Sequence, residues 1–164
     1  NRLRGVSRMD SLEIILERYE GHPLSDEEKQ KMAEEKNDIY KKLLEQMTPA
    51  DVSDEVKETL DELHRRGYLL SIGSSSRNAK YILERTGIID KFDAISDGTN
   101  IKKSKPDPEV FLKAAEFLVV EDAYAGIDAA VSGHMTAIAI GDAAGYDKAD
   151  YKLSTFKDLL DIAK

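Results

Sequence analysis

The chain has 164 residues, of which 41% are hydrophobic and 34% are charged, so we expect one domain with room for a small accessory domain. Its net charge of −8 argues against nucleic acid or an acidic membrane surface as a partner. The absence of cysteine excludes disulfides and thiolate chemistry, and no apolar stretch approaches the ~18 residues of a membrane span. These features predict a soluble cytoplasmic protein.

The first part of the chain carries only helical patterns. Apolar residues recur at helical spacing within residues 7–20. A second helix is predicted to begin at Ser25, because Glu28 completes a capping box with it. We assign residues 1–47 to a small all-helical domain. The apolar side of the second helix is predicted to consist of Met32, Ile39, Tyr40, Leu43, Leu44 and Met47.

Residues 48–164 show a different pattern, in which short apolar runs alternate with helical ones. A helix through Leu63 is predicted to end at Gly67 as its left-handed residue. Such alternation predicts the α/β class, with a parallel sheet covered by helices on both faces and functional side chains at the carboxyl ends of the strands. The predicted elements that follow are strand 68–72, helix 78–86, strand 93–96, helix 108–118, strand 119–121, helix 124–132 and strand 136–140.

Two features predict that parts of the natural protein are absent from these 164 residues. No strand pattern precedes the helical region that begins at Asn1. A helical pattern also runs into a strand between Leu118 and Val119, although such connections typically need about 2–6 residues. We therefore expect missing segments at both places, and an intact mass above 18.3 kDa would support this.

Three polar motifs follow apolar runs and point to phosphoryl transfer. Ser74 ends the run Ile72-Gly73, Lys105 lies between Ser104 and Pro106, and the pair Glu121-Asp122 follows Val119-Val120. A fixed ammonium can neutralise a phosphoryl group, and paired carboxylates can hold Mg²⁺ together with water and phosphate oxygens.

Each motif also has a simpler interpretation. Adjacent acids usually belong to a solvated loop, surface lysines are common, and three successive serines often form a polar turn. We favour the functional interpretation because the three motifs occur together and in order. His22, His64 and His134 show no metal or acid–base pattern, and His134 stands where a glycine is expected.

In this order, the three motifs resemble motifs II, III and IV of the haloacid dehalogenase superfamily. Motif I, the Asp-x-Asp that carries the nucleophile, does not occur in the sequence. The resemblance implies a Rossmann-like core with a helical cap. It further implies that Ser74 and Lys105 are catalytic residues and that Glu121 and Asp122 bind Mg²⁺, Asp122 directly and Glu121 directly or through water.

The segment from Arg4 to Ser11 resembles the cap signature of β-phosphoglucomutases within this superfamily. The resemblance makes Arg8 the clamp on the second phosphate of a sugar bisphosphate, a task that suits the bidentate guanidinium. It places Arg4, Lys36, Ser76 and Asn78 in the substrate site as well. Arg4 replaces a common lysine, and Lys36 would otherwise be read as a lysine that extends from an apolar face into solvent.

The resemblance implies interconversion of β-glucose 1-phosphate and glucose 6-phosphate through β-glucose 1,6-bisphosphate and an aspartyl-phosphate enzyme. Two alternatives stay open. One is a sugar-phosphate phosphatase with the same core. The other is a non-catalytic sugar-phosphate-binding module, which a chain that truly began at Asn1 would be, since it lacks a nucleophile. The expected partner is a small sugar phosphate, and a monomer is the expected state.

Overall fold

The computed structural model describes residues 2–114 and 118–163. Two helices form the N-terminal part and contact each other, and Ser7 and Ser25 cap them through reciprocal capping boxes. The capping box predicted for Ser25 and Glu28 is thus confirmed. The helices are α1 (Arg8–Leu16), α2 (Asp26–Leu44), α3 (Asp54–Arg65), α4 (Ala79–Arg85), α5 (Glu109–Ala114), α6 (Tyr124–Ser132) and α7 (Leu159–Ile162), with 3₁₀ turns at Pro49–Asp51, Ile89–Lys91, Gly141–Gly145 and Phe156–Asp158.

All strand pairs of the described residues are parallel, which confirms the predicted class. They form two sheets, β1–β2 and β3–β4–β5, and no strand pairing described here joins β1 to β3. Helix α5 contacts both β1 and β2 and also packs on α6, so it links the two sheets. The strands are β1 (Ser71–Gly73), β2 (Ala94–Ser96), β3 (Leu118–Glu121), β4 (Thr136–Ala139) and β5 (Tyr151–Lys152).

The core has helices on both faces of the larger sheet. Val119 and Ala137 face α5 and α6, whereas Ile138 faces the opposite way, toward α3 and α7. This follows from the alternation of side chains along a strand. The most buried members are small or β-branched residues, which allow the helices to approach the sheet closely: Val110, Ile127, Ala129, Ala130, Ala137, Ile138, Ala139 and Ala143.

Several predicted boundaries were wrong. Helix α1 ends at Leu16, before the end of the helical pattern at residue 20, because the amides of Arg18 and Tyr19 bond three residues back instead of four. The first strand lies at 71–73 rather than 68–72. Leu118 belongs to a strand, not to the predicted helix. The end predicted for that helix falls on residues 115–117, which lie outside the described residues. The missing segment between Leu118 and Val119 stays a prediction.

The burial of α2 also differs from the prediction. Met32, Ile39 and Leu43 are exposed. Leu44 is buried as predicted, but the other buried residues of the helix are Ala33 and Asn37, so its inward face contains one polar residue. At its carboxyl end, the Glu45 carbonyl accepts a hydrogen bond of 2.5 Å from the Arg85 guanidinium. Neither this helix nor any other of the described residues is long and apolar enough to cross a membrane.

His134 supplies a test of the fold. It has φ +57° just after α6, a left-handed conformation that costs a side-chain-bearing residue about 1 kcal/mol. We expect His134→Gly to raise the free energy of unfolding by about 0.5–1 kcal/mol in chemical denaturation. His22→Gly is the control, because His22 is not among the residues with positive φ. Equal effects of the two substitutions would contradict the interpretation.

Candidate active site

A single pocket of about 1020 Å³ lies between the two N-terminal helices and the carboxyl ends of β1 and β3. The parallel strands bring their polar ends to it, as expected for the carboxyl edge of an α/β sheet. The pocket brings together every residue that the sequence proposed for catalysis, substrate binding or metal binding. These residues are Arg4, Arg8, Lys36, Ser74, Ser76, Asn78, Lys105, Glu121 and Asp122.

Lys105 and Glu121 form a buried ion pair at the base of the pocket. Their Nζ and Oε2 atoms lie 2.5 Å apart, and the side chains are 7% and 10% exposed. The ammonium also lies 4.8 Å from the centre of the Phe111 ring. The second Glu121 oxygen accepts the backbone N–H of Ala123 at 3.2 Å. An unpaired buried charge is very costly, so the ion pair with Glu121 fixes the position of the Lys105 side chain.

Ser74, Ser76 and Asn78 form a tight turn after β1. The Ser74 hydroxyl accepts the Ser76 N–H at 3.2 Å, and the Ser76 hydroxyl accepts the Asn78 N–H at 3.1 Å. The Ser74 N–H donates to the Ser96 carbonyl at 2.9 Å, because pairing with β2 continues one residue past the strand. This N–H is therefore already used in the sheet, and the hydroxyls remain as donors for a phosphoryl group.

Arg8 is held by an amide that the sequence reasoning missed. The Asn37 side-chain oxygen accepts hydrogen bonds from the Arg8 guanidinium at 2.7 Å and from the Asn78 amide at 3.0 Å. Asn37 is 7% exposed. Through these two hydrogen bonds it connects α2 to α1 and to the β1 turn. The sequence signal for its burial was its position four residues after Ala33, on the same side of α2. Lys36 is exposed, and its ammonium lies 5.1 Å from the centre of the Tyr40 ring.

Arg4 lies at the other end of the pocket. Its guanidinium donates to the carboxylates of Asp122 and Asp142, and all three side chains are partly exposed. Arg4 therefore forms an ion pair with Asp122, the predicted metal ligand. Asp142 was not predicted, because it follows Gly141 in a loop without any local motif.

The carboxylates fit Mg²⁺ in part. Asp122 offers hard oxygen donors at the end of β3, and Asp142 reaches the same guanidinium. Both Glu121 oxygens are already engaged, which favours an indirect role for this residue. Within residues 2–114 and 118–163, no group of three or more acidic, histidine or cysteine side chains is placed to hold a metal. Because Mg²⁺ commonly uses one or two carboxylates plus water and phosphate oxygens, Asp122 remains suitable as a ligand.

Residues 10–140 match the family model described as haloacid dehalogenase-like hydrolase. This range covers most of the chain and includes the β1 turn, Lys105 and the carboxylate pair. The chain belongs to the haloacid dehalogenase-like hydrolase family. The family and the fold expected from the resemblance are thereby confirmed, and the residues of the three motifs line one pocket.

Within this family, the chain is similar to β-phosphoglucomutases. It is 38% identical to the Bacillus subtilis β-phosphoglucomutase over 172 residues, covering 96% of this chain and 74% of that protein. The alignment is longer than the 164 residues of the chain, so the relative has residues without a counterpart here. A β-phosphoglucomutase structure from Clostridium difficile superposes with a TM-score of 0.87 at 36% identity, covering 96% and 74% of the two chains.

A relative with a different activity is also similar. The phosphorylated carbohydrates phosphatase of Thermotoga maritima is 30% identical over 141 residues, which cover 80% of this chain and 62% of that protein. The family core is therefore compatible with more than one reaction on phosphorylated sugars.

Gly126 gives a test of the buried ion pair. A Cβ at this position would lie 2.1 Å from Glu121 side-chain carbons, so we expect Gly126→Ala to displace the carboxylate from Lys105. Burial of an ammonium without its partner is costly, so the Lys105 side chain should move toward solvent and react faster with acetic anhydride. Mass spectrometry of the Lys105 peptide measures this rate. Gly145→Ala, whose Cβ meets nothing within 4 Å, should leave it unchanged. An unchanged rate in Gly126→Ala would contradict the interpretation.

Glu109 gives a pH-dependent test of the loop that leads to Lys105. Its carboxylate is bonded to the Lys113 ammonium and accepts the N–H groups of Lys103 and Lys102, which together lower its pKa from 4.5 to about 2. A carboxyl group with a lowered pKa stabilises the folded state above its unfolded pKa and loses this effect in acid.

We therefore expect Glu109→Gln to reduce the free energy of unfolding most above about pH 4.5, with the difference from wild type shrinking toward pH 2. Urea denaturation at several pH values measures this difference. Glu84→Gln, which changes an exposed carboxylate of α4, should show a much smaller dependence. A difference for Glu109→Gln that stayed constant with pH would overturn the assignment.

Proposed function

We propose that the protein is a β-phosphoglucomutase, which interconverts β-D-glucose 1-phosphate and D-glucose 6-phosphate through β-glucose 1,6-bisphosphate. The proposal depends mainly on one observation: Arg8 on α1 and Lys105 on the core line the same pocket. A sugar bisphosphate carries two anionic groups, and each needs a cationic partner. The similarity to β-phosphoglucomutases supports the same assignment.

In this proposal the core residues serve the phosphoryl group that is transferred. Lys105, held by Glu121, stabilises the negative charge that is spread over the phosphoryl oxygens. The Ser74 hydroxyl donates to one of these oxygens. Mg²⁺, with Asp122 as its ligand, would neutralise further charge on the same group. Because Arg4 contacts the Asp122 carboxylate, ligation requires the guanidinium to move aside or to share the carboxylate.

The nucleophile in this proposal is an aspartate outside these 164 residues, as the family resemblance implies. The structure leaves β1 and β3 in separate sheets, and their carboxyl ends carry Ser74 and the Glu121-Asp122 pair toward one pocket. An aspartate at the end of a strand between β1 and β3 would lie between these groups. The phosphorylated aspartate would donate its phosphoryl group to the 6-oxygen of β-glucose 1-phosphate, whose proton passes to the acid/base residue, and so form β-glucose 1,6-bisphosphate. After the sugar turns round, the aspartate would take the phosphoryl group from the 1-oxygen, which is protonated as it leaves, so that glucose 6-phosphate is released and the phosphoenzyme is restored.

The helical part, for which we keep the division at residues 1–47, distinguishes a mutase from a phosphatase in this proposal. Arg8 binds the phosphate that is not being transferred, and Lys36, Ser76 and Asn78 line the same region. The Arg8–Asn37–Asn78 hydrogen bonds hold the helices against the core and restrict access of water to a phosphoenzyme. We further propose a cytoplasmic monomer.

A sugar-phosphate phosphatase is the second candidate. The similarity to the Thermotoga phosphatase favours it, because the core motifs support hydrolysis as well as transfer back to the sugar. The two candidates differ in the fate of the phosphoenzyme, which a single assay measures.

The test is turnover of β-glucose 1-phosphate by the whole protein with Mg²⁺ and catalytic β-glucose 1,6-bisphosphate, with glucose 6-phosphate and inorganic phosphate followed together. We expect glucose 6-phosphate with little phosphate release. Phosphate release without isomerisation would favour the phosphatase. No product of either kind would contradict both enzyme proposals and favour a binding module.

Arg8→Ala tests the role of the helical part in the same assay. A charge-assisted hydrogen bond contributes about 1.5–3 kcal/mol, so we expect kcat/KM for isomerisation to fall about 10- to 100-fold. Phosphate release should fall less, since the transferring site is intact. Arg18→Ala removes an exposed arginine just beyond the same helix and is the matched control. Equal effects of the two substitutions would refute the role of Arg8.

A further inference from the structure

Asp10 makes a contact that its local role does not require. As the N3 residue of α1, its carboxylate accepts the Ser7 hydroxyl at 2.6 Å and the Ser7 N–H at 3.3 Å, which completes the capping box. The same oxygen, Oδ2, also accepts the Ser104 hydroxyl at 2.6 Å. Ser104 directly precedes Lys105, so one carboxylate joins the start of a helix in residues 1–47 to the loop that carries the buried ammonium.

A second contact joins the same two segments. The Ser75 hydroxyl donates to the Gly5 carbonyl at 2.9 Å and accepts the Lys105 N–H at 3.4 Å. Gly5 has φ +76° and lies close to the Lys105 side chain, since a Cβ there would come 3.8 Å from its Cδ. Residues 104 and 105 are thus both connected to the segment between residues 5 and 10.

The capping box of α2 lacks such a contact. The Glu28 carboxylate of α2 accepts the Ser25 N–H at 2.8 Å and its hydroxyl at 2.9 Å, and lies 3.5 Å from His22. These partners all belong to the helical part. Capping an N-terminus in this protein therefore does not by itself produce a bond to the core, and the Asp10–Ser104 contact needs a separate explanation.

We propose that Asp10 is a positioning residue that couples closure of residues 1–47 over the pocket to the placement of Lys105. Arg8 and Asp10 lie two residues apart on α1, so the contact that docks Asp10 on Ser104 also fixes the distance between the two cations. The consequence for catalysis depends on the proposed function, whereas the coupling itself does not.

The charge of Asp10 supports the coupling. Hydrogen bonds from the Ser104 and Ser7 hydroxyls lower the pKa of its carboxyl group. The ionised carboxylate is an acceptor only, and both hydroxyls donate to it as charge-assisted hydrogen bonds, which are stronger than neutral ones. The Ser104 hydroxyl therefore donates its hydrogen to Asp10.

The experiment measures closure directly. Because the chain contains no cysteine, cysteines introduced at the exposed positions Glu27 and Asp90 accept spin labels without background labelling. Their distance distribution reports the separation of α2 from the core. The variants compared on this background are Asp10→Ala, Ser104→Ala, the double substitution, Asp10→Asn and, as matched control, Glu28→Ala.

We expect Asp10→Ala and Ser104→Ala each to lower the ratio of closed to open molecules about 3- to 10-fold, as loss of a partly exposed charge-assisted hydrogen bond would do. The double substitution should have no larger effect than either single one, because both remove the same bond. Asp10→Asn keeps an acceptor oxygen and should restore part of the closure. Glu28→Ala removes a capping box alone and should leave the distribution unchanged.

Full additivity of Asp10→Ala and Ser104→Ala, or distributions equal to wild type, would overturn the proposal. An effect of Glu28→Ala as large as that of Asp10→Ala would also overturn it, since capping alone would then explain closure. If the assay detects no mutase activity, the spin-label distances still test the coupling. Where isomerisation is active, Ser104→Ala should increase phosphate release relative to glucose 6-phosphate formation, a ratio that a loss of stability alone would not change.

Discussion

The buried ion pair of Lys105 and Glu121 is the constraint on which the site depends. An ammonium that is 7% exposed requires a partner, and Glu121 can serve only because β3 ends where it does and Gly126 leaves room beside it. The pair fixes the loop after Ser104 against the end of β3. The hydroxyls of the β1 turn, the Asp122 carboxylate and the helical residues then surround a cation whose position is already determined.

The sequence was most informative where function requires a residue type at the end of a strand. Ser74 and the Glu121-Asp122 pair were found from their positions after apolar runs, and Lys105 from its place between Ser104 and Pro106; the pocket contains them all. Gly67, with φ +88°, was predicted from its position after a helix. These features depend on local chemistry and on the geometry of parallel strands, which short segments of sequence encode.

The sequence was least informative where a residue acts through distant partners. Asn37 looked like an ordinary surface amide, because its partners Arg8 and Asn78 lie 29 and 41 residues away. Asp142 is 138 residues from Arg4. The apolar side predicted for α2 failed for a related reason, since periodicity identifies a stripe but not the element that covers it. Exposed Met32, Ile39 and Leu43 show that local pattern and burial can disagree.

The hydrogen bond from Arg85 to the Glu45 carbonyl ties one end of α2 to the core, and this end can serve as the pivot when the helical part rotates. It lies at the carboxyl end of α2, whereas Asn37 lies about two turns away, roughly 12 Å along the helix axis. A swing of about 10° around this end therefore moves Asn37 by only about 2 Å. That displacement is enough to break the 3.0 Å hydrogen bond to Asn78 of the core, whereas the bond to Arg8 moves with the helical part. A small rotation would thus open the pocket while Leu44, next to the pivot, stays buried.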